Sequence, residues 1–383
     1  MRRADEERSG DDSKLLSRRD MLIKTYGVGA TLIFGQRLTS VVTAATNDTA
    51  TPAENARSEP LPQRTQSGEA DVQHLPGGGQ PRSVCAGHAG VLVVGATEAG
   101  EPISWHRRSA VGWEECHLSQ PAPGAPEVWG VAARRDRYVA VGSTLQQESR
   151  PIARDSGVPG EDAQRTFTAR RRMPTVWWTR DCITWSGQTL GGVPDTHAQL
   201  IAVASDDELV VAAGSVLDAD GVQGAAGLML ASNDGERWEP AAIARRDEVF
   251  AEGSFTGITA TGDSWFATST NMDGGIVWTS VDGRHWAPIP SSMDTFRGIT
   301  LQGVGVRRRR VLIAGTALTD LEPRYYSSGD GGHSWDLVRL DLRMLTGANA
   351  AVSDLAVWSD KVVVVGTSNG APVFEGGAVG GSN

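Results

Sequence analysis

From Ser83 onwards the chain repeats one hydrophobic plan six times: a short strand pattern, a tight polar turn, then a longer apolar run ending near Gly-Ser or Gly-Thr. The first three segments are SVCA-GHAG-VLVVGAT from Ser83, GVAA-RRDR-YVAVGST from Gly130 and AVAS-DDE-LVVAAGS from Ala202. The others are GITA-TGDS-WFATST from Gly257, GITL-QGVGVRRRR-VLIAGT from Gly298 and DLAV-WSD-KVVVVGT from Asp354. Apolar runs this short, bounded by turn residues, read as strands. The closing glycine or its equivalent falls at Gly95, Gly142, Gly214, Ser269, Gly315 and Gly366. Most intervals lie near the roughly 40–50 residues of a four-stranded blade. The pattern predicts an all-β fold: a six-bladed β-propeller of four-stranded antiparallel blades over residues 81–376. The sixth unit keeps three strands, the third at Ala371–Phe374. Its fourth is therefore absent or supplied by residues near 70–80, which would latch the ring.

A second motif follows each of the first five runs. An aromatic or apolar residue precedes a turn, and a tryptophan closes it at Trp113, Trp185, Trp238, Trp286 and Trp335. The turns carry Thr179 and Asp181; Ser232, Asp234 and Gly235; Ser280, Asp282 and Gly283; and Ser328, Asp330 and Gly332. The first blade lacks the aspartate and glycine. This pattern resembles the Asp-box (BNR) repeat, S-x-D-x-G-x-T-W, of sialidases and related propellers. The chemistry is local: hydroxyl and carboxylate bond the hairpin backbone, glycine supplies a positive φ, and the indole covers the turn. The resemblance implies a scaffold, because Asp-boxes staple blades away from any site. It also implies a sialidase-like glycoside hydrolase as an alternative function. In that family three arginines grip a carboxylate, a tyrosine activated by a glutamate attacks, and a loop aspartate is the acid. Arg82-Ser83-Val84 stands where the family's Arg-Ile-Pro signature begins, without Ile and Pro. Arg297 is a candidate second arginine. Tyr325 and Tyr326 form the one tyrosine pair, and Tyr326 takes a hairpin-strand position away from the axis. Glu127, Asp195 and Glu252 are the carboxylates left for acid–base work.

The termini carry a different signal. Ser17-Arg18-Arg19-Asp20-Met21-Leu22-Ile23-Lys24 resembles the twin-arginine export motif, followed by an apolar stretch from about Tyr26 to Gly35 and small residues at Val42–Ala45. Residues 1–45 are thus expected to be a twin-arginine signal peptide, with cleavage after Ala44 or Ala45 and retention as an anchor the alternative. The stretch is short, glycine-bearing and interrupted by Arg37, so no stable membrane insertion is expected after processing. The implied location is periplasmic or extracellular. Residues 46–80 lack the apolar surface to offset their ordering entropy and read as a disordered linker; 377–383 read as a flexible tail. A formal net charge of −10 in 383 residues argues against nucleic-acid binding. A monomer is expected.

Function in such a scaffold belongs to the variable joins between second and third strands, which share a face with the blade-to-blade connections. The longest, about 144–174, carries Arg150, Arg154, Arg165 and Arg170–Arg172 and is expected to overhang that face. One step before the innermost strand stand Arg82, Trp129, Ile201, Thr256, Arg297 and Ser353, and Asp354 follows where other blades have Ser, Ala or Gly. Arg82, Trp129, Arg297 and Asp354 are accordingly the candidate ligand residues at the channel mouth. They suit a carboxylate-bearing or sugar-like ligand; rim solvation with one Arg–Asp pair is the competing reading. No metal or cofactor is expected. Asp218-Ala-Asp220-Gly221 has Met229 where a calcium loop needs Glu, and the seven histidines have no ligand spacing. Cys85 and Cys116 lie on opposite edges of one blade, so Cys85, Cys116 and Cys182 are expected as thiols. The favoured function is an exported, non-catalytic scaffold for recognising a protein, glycan or cell-envelope ligand.

Overall fold

A computed structural model of the chain describes residues 71–377, apart from 108–111, 152–165, 192–196, 218–223, 245–252, 308–309, 346–348 and 359–360. The expected signal peptide and most of the expected linker therefore lie outside the described residues, as does the tail from 378.

Six antiparallel sheets follow one another along the chain. Their innermost strands are Gln80–Gly87, Ala125–Arg134, Ala198–Ser205, Ser254–Thr261, Ile299–Arg307 and Ala350–Trp358. Each of these strands touches the next, and the sixth touches the first, so the sheets are blades around a closed ring. Outward from the innermost strand the chain meanders through three more strands in the first five blades and through two more in the sixth. The fourth blade gains a further parallel partner, Ala242–Ile243, beside His285 and Trp286. A six-residue helix, Pro290–Thr295, joins the fourth blade to the fifth.

The sixth blade closes as a latch. Its outermost strand is Asp71–His74, which pairs antiparallel with Ala371–Gly377. Residues 71–80, assigned to the linker by composition, therefore carry a blade strand and the start of the first innermost strand.

Every blade shares one irregularity. The register between its first two strands slips by a residue, giving bulges at Arg82, Trp129, Ile201, Thr256, Gln302 and Ser353. Each bulge lies opposite Gly95, Gly142, Gly214, Ser269, Gly315 or Gly366. A bulge pushes its own backbone toward the partner strand. A Cβ on Gly142 would run into the Glu127 carbonyl, and one on Gly95 into that of Gln80. That close approach explains the recurrent glycine.

Burial is organised by seams. Each of six apolar clusters joins two neighbouring blades, as Leu92, Val94, Tyr138, Trp177 and Trp185 do between the first and second. The corresponding cluster between the sixth and first blades contains Trp105, Val365 and Phe374. The core is therefore a ring of inter-blade layers, which is why the alternation along each strand is apolar on both faces.

Candidate functional site

The bulges define a level of the channel, and the residues they present are the natural site candidates. Arg82 and Trp129, expected one step before the innermost strand, occupy the bulges of the first and second blades. The fifth-blade bulge is Gln302, and Arg297 lies upstream of it in the connection. Arg297 is exposed, its backbone bridges Gly274, and its guanidinium faces Asp294 at 3.6 Å. The repeat there is longer, and aligning on Gly298 instead of on Gly315 displaces the register. Arg297 is thereby removed from the candidate ring.

Arg82 and Trp129 meet directly. The guanidinium lies 3.7 Å from the centre of the indole, and Nη1 donates to the Val128 carbonyl at 2.8 Å. Desolvation lowers the Arg82 pKa to about 10, while Glu127 pulls it up and Arg172 pushes it down. Neither Glu127 nor Arg172 belongs to the candidate ring. Glu127 takes a direct ion pair and hydrogen bond from Arg172, whose Nη1 also reaches Ser143 Oγ at 3.0 Å. The Arg172 backbone N–H donates to His197 Nδ1 at 3.4 Å. Among the described residues, Arg82 Nε, Arg172 Nε and Trp129 Nε1 are buried with no hydrogen-bond partner. So is Gln302 Oε1. One carboxylate, Glu127, therefore pairs with Arg172 and acts on the Arg82 guanidinium only through space, beside three unsatisfied donors. Such an arrangement favours an anionic group. Arg172 arises from the long second-blade hairpin, where the strands Arg137–Pro151 and Thr166–Thr179 pair along their whole length. The periodicity of that segment is weak, so its register, and with it the Arg172–Glu127 pair, is not readable from spacing.

Asp354 is placed differently. The residue following each bulge is Ser83, Gly130, Ala202, Gly257, Gly303 or Asp354, and at Gly130, Gly257 and Gly303 the next innermost strand approaches closely. A Cβ on Gly303 would lie 2.8 Å from Asp354 Oδ1, and one on Gly130 2.7 Å from the Ile201 carbonyl. Asp354 fills the seam between the sixth and first blades. Its Oδ2 accepts from Ser83 Oγ at 2.7 Å and Val84 N–H at 3.2 Å; Oδ1 accepts from Leu355 N–H at 2.8 Å. Ser83 Oγ in turn accepts from Val131 N–H in the second blade. Desolvation raises the Asp354 pKa to about 6, despite these donors. The carboxylate is a ring-closing brace, and it makes no Arg–Asp pair with Arg82.

Tyr138 and Tyr325 are engaged within the fold. Tyr325 donates to the Leu345 carbonyl at 3.0 Å, and burial with the Glu375 charge holds its pKa above the usual phenol value. Glu375 is itself fully buried, accepting backbone N–H bonds from Arg343, Met344 and Leu345. Tyr138 donates to the Gly90 carbonyl and accepts from Ala89 N–H, and desolvation raises its pKa too. Tyr326 shifts upward for the same reason. A nucleophilic phenol requires the opposite shift. Asp195, Glu252 and the Asp218–Gly221 segment lie outside the described residues.

The four aspartate turns share a bonding pattern. Ser232, Ser280 and Ser328 each donate to the aspartate two residues on and accept a glycine N–H, from Gly235, Gly283 and Gly332. Thr179 does likewise with Asp181 and Cys182 N–H. Asp234 and Asp282 accept two further backbone N–H groups each, and Asp330 accepts from Ser334 N–H and Oγ. The indoles of Trp238 and Trp286 donate to the Gly235 and Gly283 carbonyls; among the described residues, Trp185 and Trp335 have no partner for Nε1. Hydrogen bonds to the ionised form hold the pKa values of Asp181 and Asp330 below the ordinary carboxylate value. For Asp282 desolvation is the largest influence and opposes the shift, but bonds from His285, Arg284 and Ser280 outweigh it.

No protein-family model matches the chain, and no curated protein matches it. Solved structures do match in fold. Trypanosoma rangeli sialidase aligns with a TM-score of 0.53 at 10% identity, covering 78% of this chain and 55% of that one. The Hadza microbial sialidase Hz136 aligns at 0.54 and 15% identity, covering 78% and 65%. The phage phi92 endosialidase aligns at 0.51 and 10% identity, covering 82% and 70%. The chain thus has a sialidase-like propeller fold and spans about half to two-thirds of the two sialidases. Among the described residues no helix is long and apolar enough to cross a membrane.

Proposed function

We propose that this chain is a non-catalytic recognition propeller that binds a carboxylate-bearing ligand, such as an acidic glycan, at the Arg82–Trp129–Arg172 corner. The observation that carries the reading is the trio of buried, unsatisfied donors, Arg82 Nε, Arg172 Nε and Trp129 Nε1, on two electrostatically coupled guanidinium groups and an indole, with Glu127 paired to Arg172 alone. Buried donors without acceptors cost about 1–3 kcal/mol each. A bound carboxylate removes that cost. What speaks against a tyrosine nucleophile is that the Tyr138 and Tyr325 hydroxyls are internally bonded and that the pKa values of Tyr138, Tyr325 and Tyr326 are raised.

The fold likeness favours a second reading, a sialidase-like glycoside hydrolase, and one experiment separates them. The processed chain is assayed with a fluorogenic sialoside and on a glycan array. Binding of acidic glycans without turnover, weakened at least about tenfold in Arg82→Ala, is the expected result. Turnover sinks the non-catalytic reading, and glycan binding that ignores Arg82→Ala sinks the site. We further read the four aspartate turns as BNR repeats and the leader as a twin-arginine signal. The protein is then an exported monomer working in the periplasm or outside the cell.

A further inference from the structure

Cys182 stands in an unexpected conformation. In the third and fourth blades the equivalent turn residues are Gly235 and Gly283, with φ of 79° and 67°. Cys182 adopts φ of 62°. The left-handed region is unfavourable for a residue with a Cβ by about 1–2 kcal/mol. A side chain kept there against that cost points to use of the side chain.

Its surroundings show where the sulfur goes. A Cβ on Gly283 would lie 2.6 Å from Leu209 Cδ2 and 3.1 Å from Val211 Cγ2 of the preceding blade, which is why that turn needs glycine. Counting back from the second-strand glycines Gly214 and Gly95, Leu209 corresponds to Gly90, and Val211 to Leu92. The first blade has therefore vacated the leucine position, and Cys182 is buried in the same cluster as Leu92. Cys85 is the residue directly opposite Leu92 in the strand register. Directly opposed residues point to the same face, with Cβ atoms about 4.5–5.5 Å apart. Cys85 and Cys182 are both buried in the single cluster that seals the first blade to the second. The through-space influence of Cys182 on Cys85, and of both on Tyr138, has the sign that this proximity requires.

We propose that Cys85 and Cys182 are a disulfide-forming pair that covalently ties the first blade to the second when the chain meets an oxidising environment. The cysteines form no disulfide in this structure. The oxidant is an external disulfide, of the glutathione class. One thiolate attacks it, forming a mixed disulfide and expelling one thiol; the second thiolate then displaces the other. Two S–H bonds and one external S–S bond are lost, one internal S–S bond forms, and both protons leave on the two released thiols. Burial suppresses the thiolate, so exchange proceeds through opening of the seam. Sequence separation hides the pair, because the partner of Cys85 lies in the next blade.

The test uses the full chain, opened with sub-denaturing guanidinium, exposed to oxidised glutathione, returned to buffer and mapped by non-reducing peptide mass spectrometry. The expected product is a Cys85–Cys182 cross-linked peptide two hydrogens lighter than the sum, with Cys116 still alkylatable. The oxidised chain should melt about 5 °C above the reduced chain. That rise should vanish in Cys182→Gly, which restores the residue of the other turns, and in Cys85→Ala, which matches Ala132 and Ala204. A link involving Cys116, glutathione adducts that persist at Cys85 or Cys182, or three thiols surviving oxidation would each overturn the pairing.

Discussion

Asp354 shows how one residue can look like a ligand group and be a brace. It breaks the Ser, Ala or Gly pattern at its position, and the break is real. Its cause is the seam it fills, where Oδ2 meets Ser83 Oγ and Val84 N–H of the first blade. The site residue beside it, Arg82, is distinguished by contacts that no single position reveals: the Trp129 face, the Val128 carbonyl and an unpaired Nε. The raised pKa of Asp354, about 6 against an ordinary 3.8, has a stability consequence of definite sign. The folded state holds the proton more tightly, so the carboxyl's contribution is fully present below about pH 4 and is lost as pH rises through about 6. Asp354→Asn cannot ionise. Thermal melts of both proteins between pH 4 and 7 should therefore diverge, the variant gaining on the parent by about 3 kcal/mol across the window. Parallel curves would show that Asp354 does not titrate in that range.

At the scale of elements, each aspartate turn ties one hairpin to itself. Asp282 Oδ1 accepts from Ser280 Oγ, Arg284 N–H and His285 N–H, and Oδ2 meets His285 Nδ1 at 2.7 Å. Asp282→Ala leaves those N–H groups to water and should cost about 1–2 kcal/mol in chemical denaturation, the scale of a lost helix cap. The lowered pKa fixes the pH dependence: stability is present above the ordinary carboxylate value near 3.8 and fades as pH falls below it. The difference between parent and variant should accordingly shrink in acid, the opposite sense to Asp354. These turns were legible in the sequence because hydroxyl, carboxylate, glycine and indole all fall within one hairpin. The innermost strands were legible for the same reason, through the glycine opposite each bulge. What escaped depended on register or on neighbouring blades. Gln302 was hidden by a longer fifth repeat, the Arg172–Glu127 pair by an extended hairpin with no strong period, and the Cys85–Cys182 neighbourhood by a seam between blades.

Over the whole molecule the fold must solve one problem, closing a ring whose first and last blades are distant in sequence. Two devices act at different radii. Near the axis, Asp354 of the sixth blade bonds Ser83 and Val84 of the first. At the rim, Asp71–His74 becomes the outer strand of the sixth blade, with Val72 opposite Glu375 and Gln73 opposite Phe374. The latch also covers a third strand already tied inward, since Glu375 accepts the N–H groups of Met344 and Leu345 and Phe374 lies in the seam with Trp105. Without the latch that strand presents a bare edge of backbone donors and acceptors, which invites pairing with other chains. Deleting residues 1–74 removes this outer strand and keeps Leu75 and Pro76, whose carbonyl accepts from Trp105 Nε1. Deleting residues 1–70 leaves the strand in place and serves as the control. The shorter chain should melt about 5 °C or more below the control and aggregate during refolding, because losing a strand's ladder costs roughly 1 kcal/mol per hydrogen bond. Equal melting of the two chains would mean that the brace at Asp354 closes the ring alone.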